Sequence, residues 1–238
     1  MPGADFRTTS WSLILAAASE PTTATRQALA TLCQTYWNPV YAFIRRNGYD
    51  PDRAQDLTQE FFSILIEKNY LEDADRRRGR FRSFLLTSVK HFLANEWDKA
   101  RAQKRGGGHA PISIDATEAE RWYVPAVADE ITPETLFERR WAVSLLERVM
   151  AMLRAEYTAS GKEELFMSLE VFLNHDSDEG YDELAARMNT SAGALRMAVL
   201  RMRKKYRALL RAEIAETVEW PEEVDEEIRF LVSTLGGR

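Results

Sequence analysis

Seven cationic side chains crowd residues 189–212, namely Arg196, Arg201, Arg203, Lys204, Lys205, Arg207 and Arg211, and no carboxylate stands among them. Such residues at helical spacing do electrostatic rather than covalent chemistry. They neutralise phosphates and, through the guanidinium fork, read base edges. Leu195, Val199, Met202 and Tyr206 fall at i, i+4, i+7 and i+11, a buried stripe on the opposite face. Upstream, Leu184, Ala185 and Met188 give a first helix its own apolar stripe, with a small Ala185 where a second helix must approach closely. Asn189 occupies the corner, where a residue tolerant of positive φ is needed. Ser191 is a good N-cap for the second helix. Residues 181–211 are therefore expected to form a helix-turn-helix whose second helix enters a DNA major groove. An ordinary helical hairpin with a solvated basic face is the alternative; agreement of corner, cap, small residue and charge asymmetry favours the former.

The distribution of charge matters more than its total. The whole chain carries 32 Lys and Arg against 37 Asp and Glu, a net −5 that does not point to nucleic acid. Residues 76–105 nevertheless hold ten cations (Arg76, Arg77, Arg78, Arg80, Arg82, Lys90, Lys99, Arg101, Lys104 and Arg105) against Glu96 and Asp98, a balance of +8. Residues 189–212 stand at +7, and residues 213–238 at −6, with eight acids against two arginines. Two basic blocks separated by acidic ones suit a protein that touches a duplex at two places.

Catalytic and metal chemistry find little here. His91, His109 and His175 fall in separate segments without ligand spacing, and Cys33 is the single cysteine. That excludes an internal disulfide and fits a reducing compartment. No glycine-rich phosphate loop follows a strand, and Gly106, Gly107 and Gly108 read as a helix stop. The chain is expected to be non-enzymatic, with no cofactor, no metal site and no small-molecule substrate. The apolar run at residues 10–18 lacks a basic flank and is too short to span a bilayer. A cytoplasmic protein without membrane insertion is expected.

The elements that must position these residues are helical throughout, since glycine and proline are scarce and no convincing period-2 run occurs. The expected fold is all-α, two helical domains joined by a flexible linker. Residues 1–25 form a lead whose apolar segment packs on the first domain. The first domain, residues 26–106, opens with a helix bearing Leu29, Leu32, Tyr36, Val40 and Phe43, interrupted at Pro39 with Asn38 as a cap. Arg45 and Arg46 lie in its last turn, and Gly48 stops it. Asp50 and Pro51 start a second helix that buries Ala54, Leu57, Phe61 and Leu65 to about residue 67. A polar loop comes next, then a third helix from about residue 81 to 105 with Phe84, Leu85, Val89, Phe92 and Leu93 as core. Residues 107–132 read as a linker with a short amphipathic piece near Trp122. Residues 133–213 form the second domain, whose first helix carries Leu136, Trp141, Leu145, Leu146, Val149 and Leu153 and ends near Tyr157. Residues 214–238 are an acidic extension with an amphipathic segment at 222–235.

Two motifs in this order resemble the sigma-70 family, in particular the small extracytoplasmic-function-type sigma factors of bacterial RNA polymerase. The first is YWNPVYAFIRRNGYDPDRAQDLTQEFF at residues 36–62, similar to the family's region 2.1–2.2. The second is the helix-turn-helix, similar to region 4.2. The resemblance covers about residues 26–106 and 133–213. Two departures stand out: Ala198 occupies a position where members often carry arginine, and residues 155–164 lack the common Leu-Pro turn, which implies a longer helix there.

The resemblance implies a dissociable subunit that binds core RNA polymerase and promoter DNA, directs promoter recognition and melting, and hydrolyses nothing. It implies polymerase docking by Asp56, Gln59 and Glu60, with Arg45 and Arg46 nearby; an acidic, amide-bearing face can pair with arginines of a partner helix pair. For the -10 element it implies a base-capturing loop at about residues 69–79 and a backbone-holding helix at 90–105. Arg80, Arg82, Lys90, Lys99, Arg101, Lys104 and Arg105 would meet phosphates, and Tyr70, His91 and Trp97 would meet bases. For the -35 element it implies Ser191, Arg196, Met197 and Arg201 near the groove, with Arg203, Lys204 and Arg207 on phosphates. An anti-sigma factor or a regulatory kinase is a further partner of this class; Thr58, inside the docking motif, is the residue where a phosphate would add negative charge. The acidic tail has three readings: a mask over the basic recognition helix, a polymerase contact, or a plain surface helix. A stand-alone helix-turn-helix regulator that never enters polymerase is the alternative function, and it would need an effector pocket or a dimer surface in the first domain. A polymerase-binding protein with vestigial DNA contacts is disfavoured by the two basic blocks.

Overall fold

The structure, a computed structural model, describes residue 11 and residues 22–67, 80–103, 131–173 and 180–236. The described residues are mostly helical. We number the helices α1 (Thr23–Arg46), α2 (Pro51–Glu67), α3 (Phe81–Gln103), α4 (Pro133–Ala159), α5 (Glu163–Leu169), α6 (Tyr181–Arg187), α7 (Ala192–Ala215) and α8 (Glu223–Leu235). A 3-10 turn, Glu170–Leu173, follows α5. An isolated antiparallel bridge joins Arg80 and Val218. The chain divides into two compact units, Met1–Ser144 with Ile214–Arg238, and Leu145–Glu213. The division falls within α4 and α7, whereas the sequence places it at a linker over residues 107–132. That linker, the Trp122 segment and the loop at 69–79 lie outside the described residues.

In the first unit, α1 runs unbroken through Pro39, where the sequence predicts an interruption. Proline deletes one i→i−4 hydrogen bond, but Tyr36, Val40, Tyr41, Phe43 and Ile44 around it are all buried. Their packing outweighs a single missing bond, the usual way tertiary context overrides propensity. Gly48, at φ +93, ends the turn after α1 in a conformation few other residues adopt. Asp50 then caps α2, its Oδ1 accepting from the Arg53 amide at 2.9 Å. Ala54, Leu57, Phe61 and Leu65 are buried as expected, and so are Phe84, Leu85, Val89, Phe92 and Leu93 of α3. Trp11 meets Phe81 and Phe84 at ring distances of 5.1 and 5.2 Å, and its amide donates to the Glu216 carbonyl at 3.1 Å. The remainder of the apolar lead lies outside the described residues.

The head of α4 also belongs to this unit. Phe137 stacks near Tyr36 and meets Phe43 edge-on, both at 6.4 Å. So does α8, which buries Val224 and Leu231 and sets Phe230 6.0 Å from Trp141. Full burial of such aliphatic side chains is worth roughly 1.5–3 kcal/mol each, so α8 is an integral layer of the unit rather than a solvated appendage.

The second unit gathers Leu153, Phe166, Leu169, Phe172, Tyr181, Leu184, Ala185, Leu195, Val199 and Met202 into one core. Helix α4 ends at Ala159, near the expected Tyr157, and Gly161, at φ +67, follows it.

Candidate nucleic-acid interface

The turn between α6 and α7 is built as its residue types demand. Asn189 takes φ +50, the one non-glycine residue with positive φ among those described. The backbone N–H of Thr190 returns to the Ala185 carbonyl at 2.9 Å, and that of Met188 to Leu184 at 2.9 Å, closing α6. Ala185 is buried, and its small side chain suits the close crossing of α6 and α7. Ser191 caps α7, its hydroxyl accepting from the Ala194 amide at 3.2 Å.

On α7 the inward face holds Leu195, Val199 and Met202, at most 3 % exposed, with Tyr206 half-buried. Arg196, Met197, Leu200, Arg201, Lys204 and Arg207 face outward. Arg196 lies 5.3 Å from the Tyr181 ring centre, which steadies its guanidinium near the start of α7. Arg203 is different. It is half-buried, and its Nη2 donates to the Phe172 carbonyl at 2.8 Å. This arginine ties α7 to the 3-10 turn and is not presented to a phosphate as the sequence suggests. Leu200 joins the outward set without having been marked by sequence reasoning. Its spacing from Met197, three residues along the same helix, is the signal that places it on this face.

The first unit brings together some of its expected residues and reassigns others. Asp56 and Glu60 are half-buried and Gln59 is exposed, all on one side of α2. Arg45 donates to the Tyr49 carbonyl at 2.5 Å and Arg46 to the Ile131 carbonyl at 2.9 Å, so both brace backbone at the end of α1. Thr58 is wholly buried, and its hydroxyl donates to the Ala54 carbonyl at 2.7 Å. A phosphate cannot reach it without opening α2, which removes the modification expected there. On α3, His91 is exposed and Trp97 is 57 % exposed. Trp97, Lys90, Asn47, Tyr49, Phe43 and Glu134 border an open groove of about 520 Å³. Lys90 pairs with Glu134 at 2.7 Å, and Lys99 with Glu96 at 2.7 Å. The hydrogen bond from Lys90 holds the Glu134 carboxyl below its ordinary value. Arg101 lies on α3, its side chain outside the described set, and Tyr70, Lys104 and Arg105 are outside it altogether.

Arg80 and Arg82 are where the sequence reading is overturned. Both are engaged by the acidic tail rather than offered to DNA. Arg82 makes a two-pronged pair with Glu227, Nε to Oε1 at 2.8 Å and Nη2 to Oε2 at 3.2 Å, while Nη1 reaches Glu138 at 3.3 Å. Its guanidinium sits 3.9 Å from the Phe230 ring centre and 5.1 Å from that of Trp141. The two paired side chains are 7 % and 1 % exposed, so no phosphate can reach Arg82 in this arrangement. Arg80 contacts Glu226 at 2.5 Å, Glu227 at 3.3 Å and Glu223 at 3.8 Å. The acidic stretch is therefore an internal counter-charge for the head of α3. Nothing in local periodicity announces a pairing across 145 residues.

Glu138 is the strained member of this cluster. Burial raises its carboxyl above the ordinary value of 4.5, outweighing the attraction of Arg82, with Glu227 and Glu134 adding to the rise. A folded-state pKa above the unfolded one means the charged form weakens the fold. That cost is complete above the folded pKa and vanishes as pH falls below the unfolded one. Glu138→Gln is thus expected to raise thermal stability at neutral pH and to give no gain well below pH ~4. Melting curves at the two pH values check this; an equal effect at both would refute it.

No helix among the described residues is long and apolar enough to cross a membrane. Comparison of the chain with protein-family models, with curated proteins and with solved structures finds no match.

Proposed function

We propose that the chain is a dissociable sigma subunit of bacterial RNA polymerase, of the extracytoplasmic-function type, that binds core polymerase and directs promoter recognition and melting. The observation that carries this reading is α7. A capped helix behind an αL corner turns Arg196, Arg201, Lys204 and Arg207 outward together with two large apolar side chains. That is the surface a recognition helix needs, cations for phosphates and a non-ionic strip for base edges. The groove beside Trp97 supports a second contact with nucleic acid. An exposed indole can replace stacking lost when a base leaves the duplex. In this role Lys90, His91, Trp97 and Lys99 remain candidates on the described part of α3, and Arg80 and Arg82 do not. The polar side of α2 supports docking on a basic partner surface through Asp56, Gln59 and Glu60.

Run-off transcription with purified bacterial core polymerase tests the reading. Promoter-specific transcripts are expected only when this protein is added, and Asp56→Arg is expected to lower them about tenfold or more by reversing charge at the dock. A chain that binds duplex tightly but never directs core polymerase is instead a stand-alone regulator.

A further inference from the structure

Resting on the duplex-binding reading of α7, we infer that this helix reads thymine through its 5-methyl group, with Met197 and Leu200 as the contacting side chains. Met197 is 52 % exposed and Leu200 is 58 % exposed, on a helix whose opposite face is buried. At 3.6 residues per turn, positions 193, 197, 200 and 204 share one side. Gly193 belongs to it, and a Cβ there would meet nothing within 4 Å, so the first turn of α7 lies open for close approach. Arg196, Arg201, Lys204 and Arg207 surround and extend this strip. A rim of cations suits a polyanion, and an apolar protein surface would have no use for it.

The major groove then narrows the ligand. The one apolar group its base edges display is the thymine methyl; guanine and cytosine show only donors and acceptors. Covering those polar atoms with Leu200 would strip their water and return no hydrogen bond, a penalty that rejects G·C pairs at the same position. Met197 and Leu200 are three residues apart, about 4.5 Å along the helix, close to the ~3.4 Å rise between base pairs. The two side chains are therefore near enough to meet bases within one short stretch of the groove.

The test uses the full chain with core polymerase. Duplexes are enriched from a random library, and each thymine of the preferred site is then replaced by deoxyuridine, which removes the methyl and nothing else. One or two replacements are expected to weaken binding about three- to fivefold each. Met197→Ala/Leu200→Ala, which removes only exposed side chains, is expected to lose this difference while keeping the salt dependence. Equal binding of thymine and deoxyuridine sites overturns the methyl assignment and leaves DNA binding standing. A thymine preference that survives in the double variant overturns the assignment to these residues. Failure to enrich any duplex removes the DNA-binding reading, and this inference with it.

Discussion

Glu227→Ala is expected to destabilise the first unit by ~3–5 kcal/mol, the cost of leaving a buried charge without its partner. Glu227 is 1 % exposed and closes both prongs of Arg82. Without it, Arg82 keeps only the 3.3 Å contact to Glu138 and the faces of Phe230 and Trp141. Ring faces attract a cation but do not satisfy its N–H groups. The neighbouring Glu226 gives the comparison. It lies 2.5 Å from Arg80 but is 57 % exposed, so solvent screens the pair and Glu226→Ala is expected to cost under about 1 kcal/mol. Hydrogen exchange of the α3 and α8 amides reads both variants without assuming that the two units unfold together. Equal loss of protection in the two variants would sink the idea. Replacing both Arg82 and Glu227 by apolar residues of similar volume is expected to recover most of the loss, because the desolvation cost leaves with the charges.

This clamp marks the boundary of what the sequence made legible. The corner, cap and buried stripe of the helix-turn-helix are legible in the sequence because their determinants are local: a positive-φ corner at Asn189, a hydroxyl cap at Ser191 and a stripe at Leu195, Val199 and Met202. The start of α2 was readable for the same reason, with Asp50 and Pro51 in sequence order. What escaped depends on distant pairs. The amphipathic pattern of α8 foretold a helix with a buried face, yet not which surface would bury it. Arg80 and Arg82 look like phosphate ligands until the carboxylates of Glu223, Glu226 and Glu227 are brought beside them by folding.

Punctuation misled in a second way. Thr132 and Pro133 do open a helix, and the Thr135 amide bonds the Thr132 hydroxyl at 3.2 Å. Caps mark where helices begin, however, and carry no information about where compact units end. The head of α4 turns Leu136, Phe137 and Trp141 into the first unit's core. Pro39 teaches the converse lesson, since a breaker inside a strongly buried stripe is simply overruled. Thr58 shows the limit of motif reading: its hydroxyl looks modifiable on paper and is sealed by Ala54 in the fold.

Replacing Arg201, Lys204 and Arg207 together by alanine is expected to weaken duplex binding on the order of a hundredfold near physiological salt, with nearly the same loss on every sequence. All three are exposed on α7. Each phosphate contact releases counterions and contributes ~0.9 to the slope of log affinity against log salt, so the slope is expected to fall by nearly 3. Arg203→Ala separates this effect from simple damage. Its guanidinium is spent on the Phe172 carbonyl, so its loss should loosen the second unit and leave the slope unchanged. Binding isotherms at several salt concentrations, with protein shown folded by circular dichroism, distinguish the two. A triple variant with unchanged slope would mean that the outward cations of α7 do not meet phosphates, and α7 would then be the solvated face of a helical hairpin. A reduced slope with unchanged preference for thymine would instead divide the labour on this helix, cations for affinity and Met197 with Leu200 for sequence.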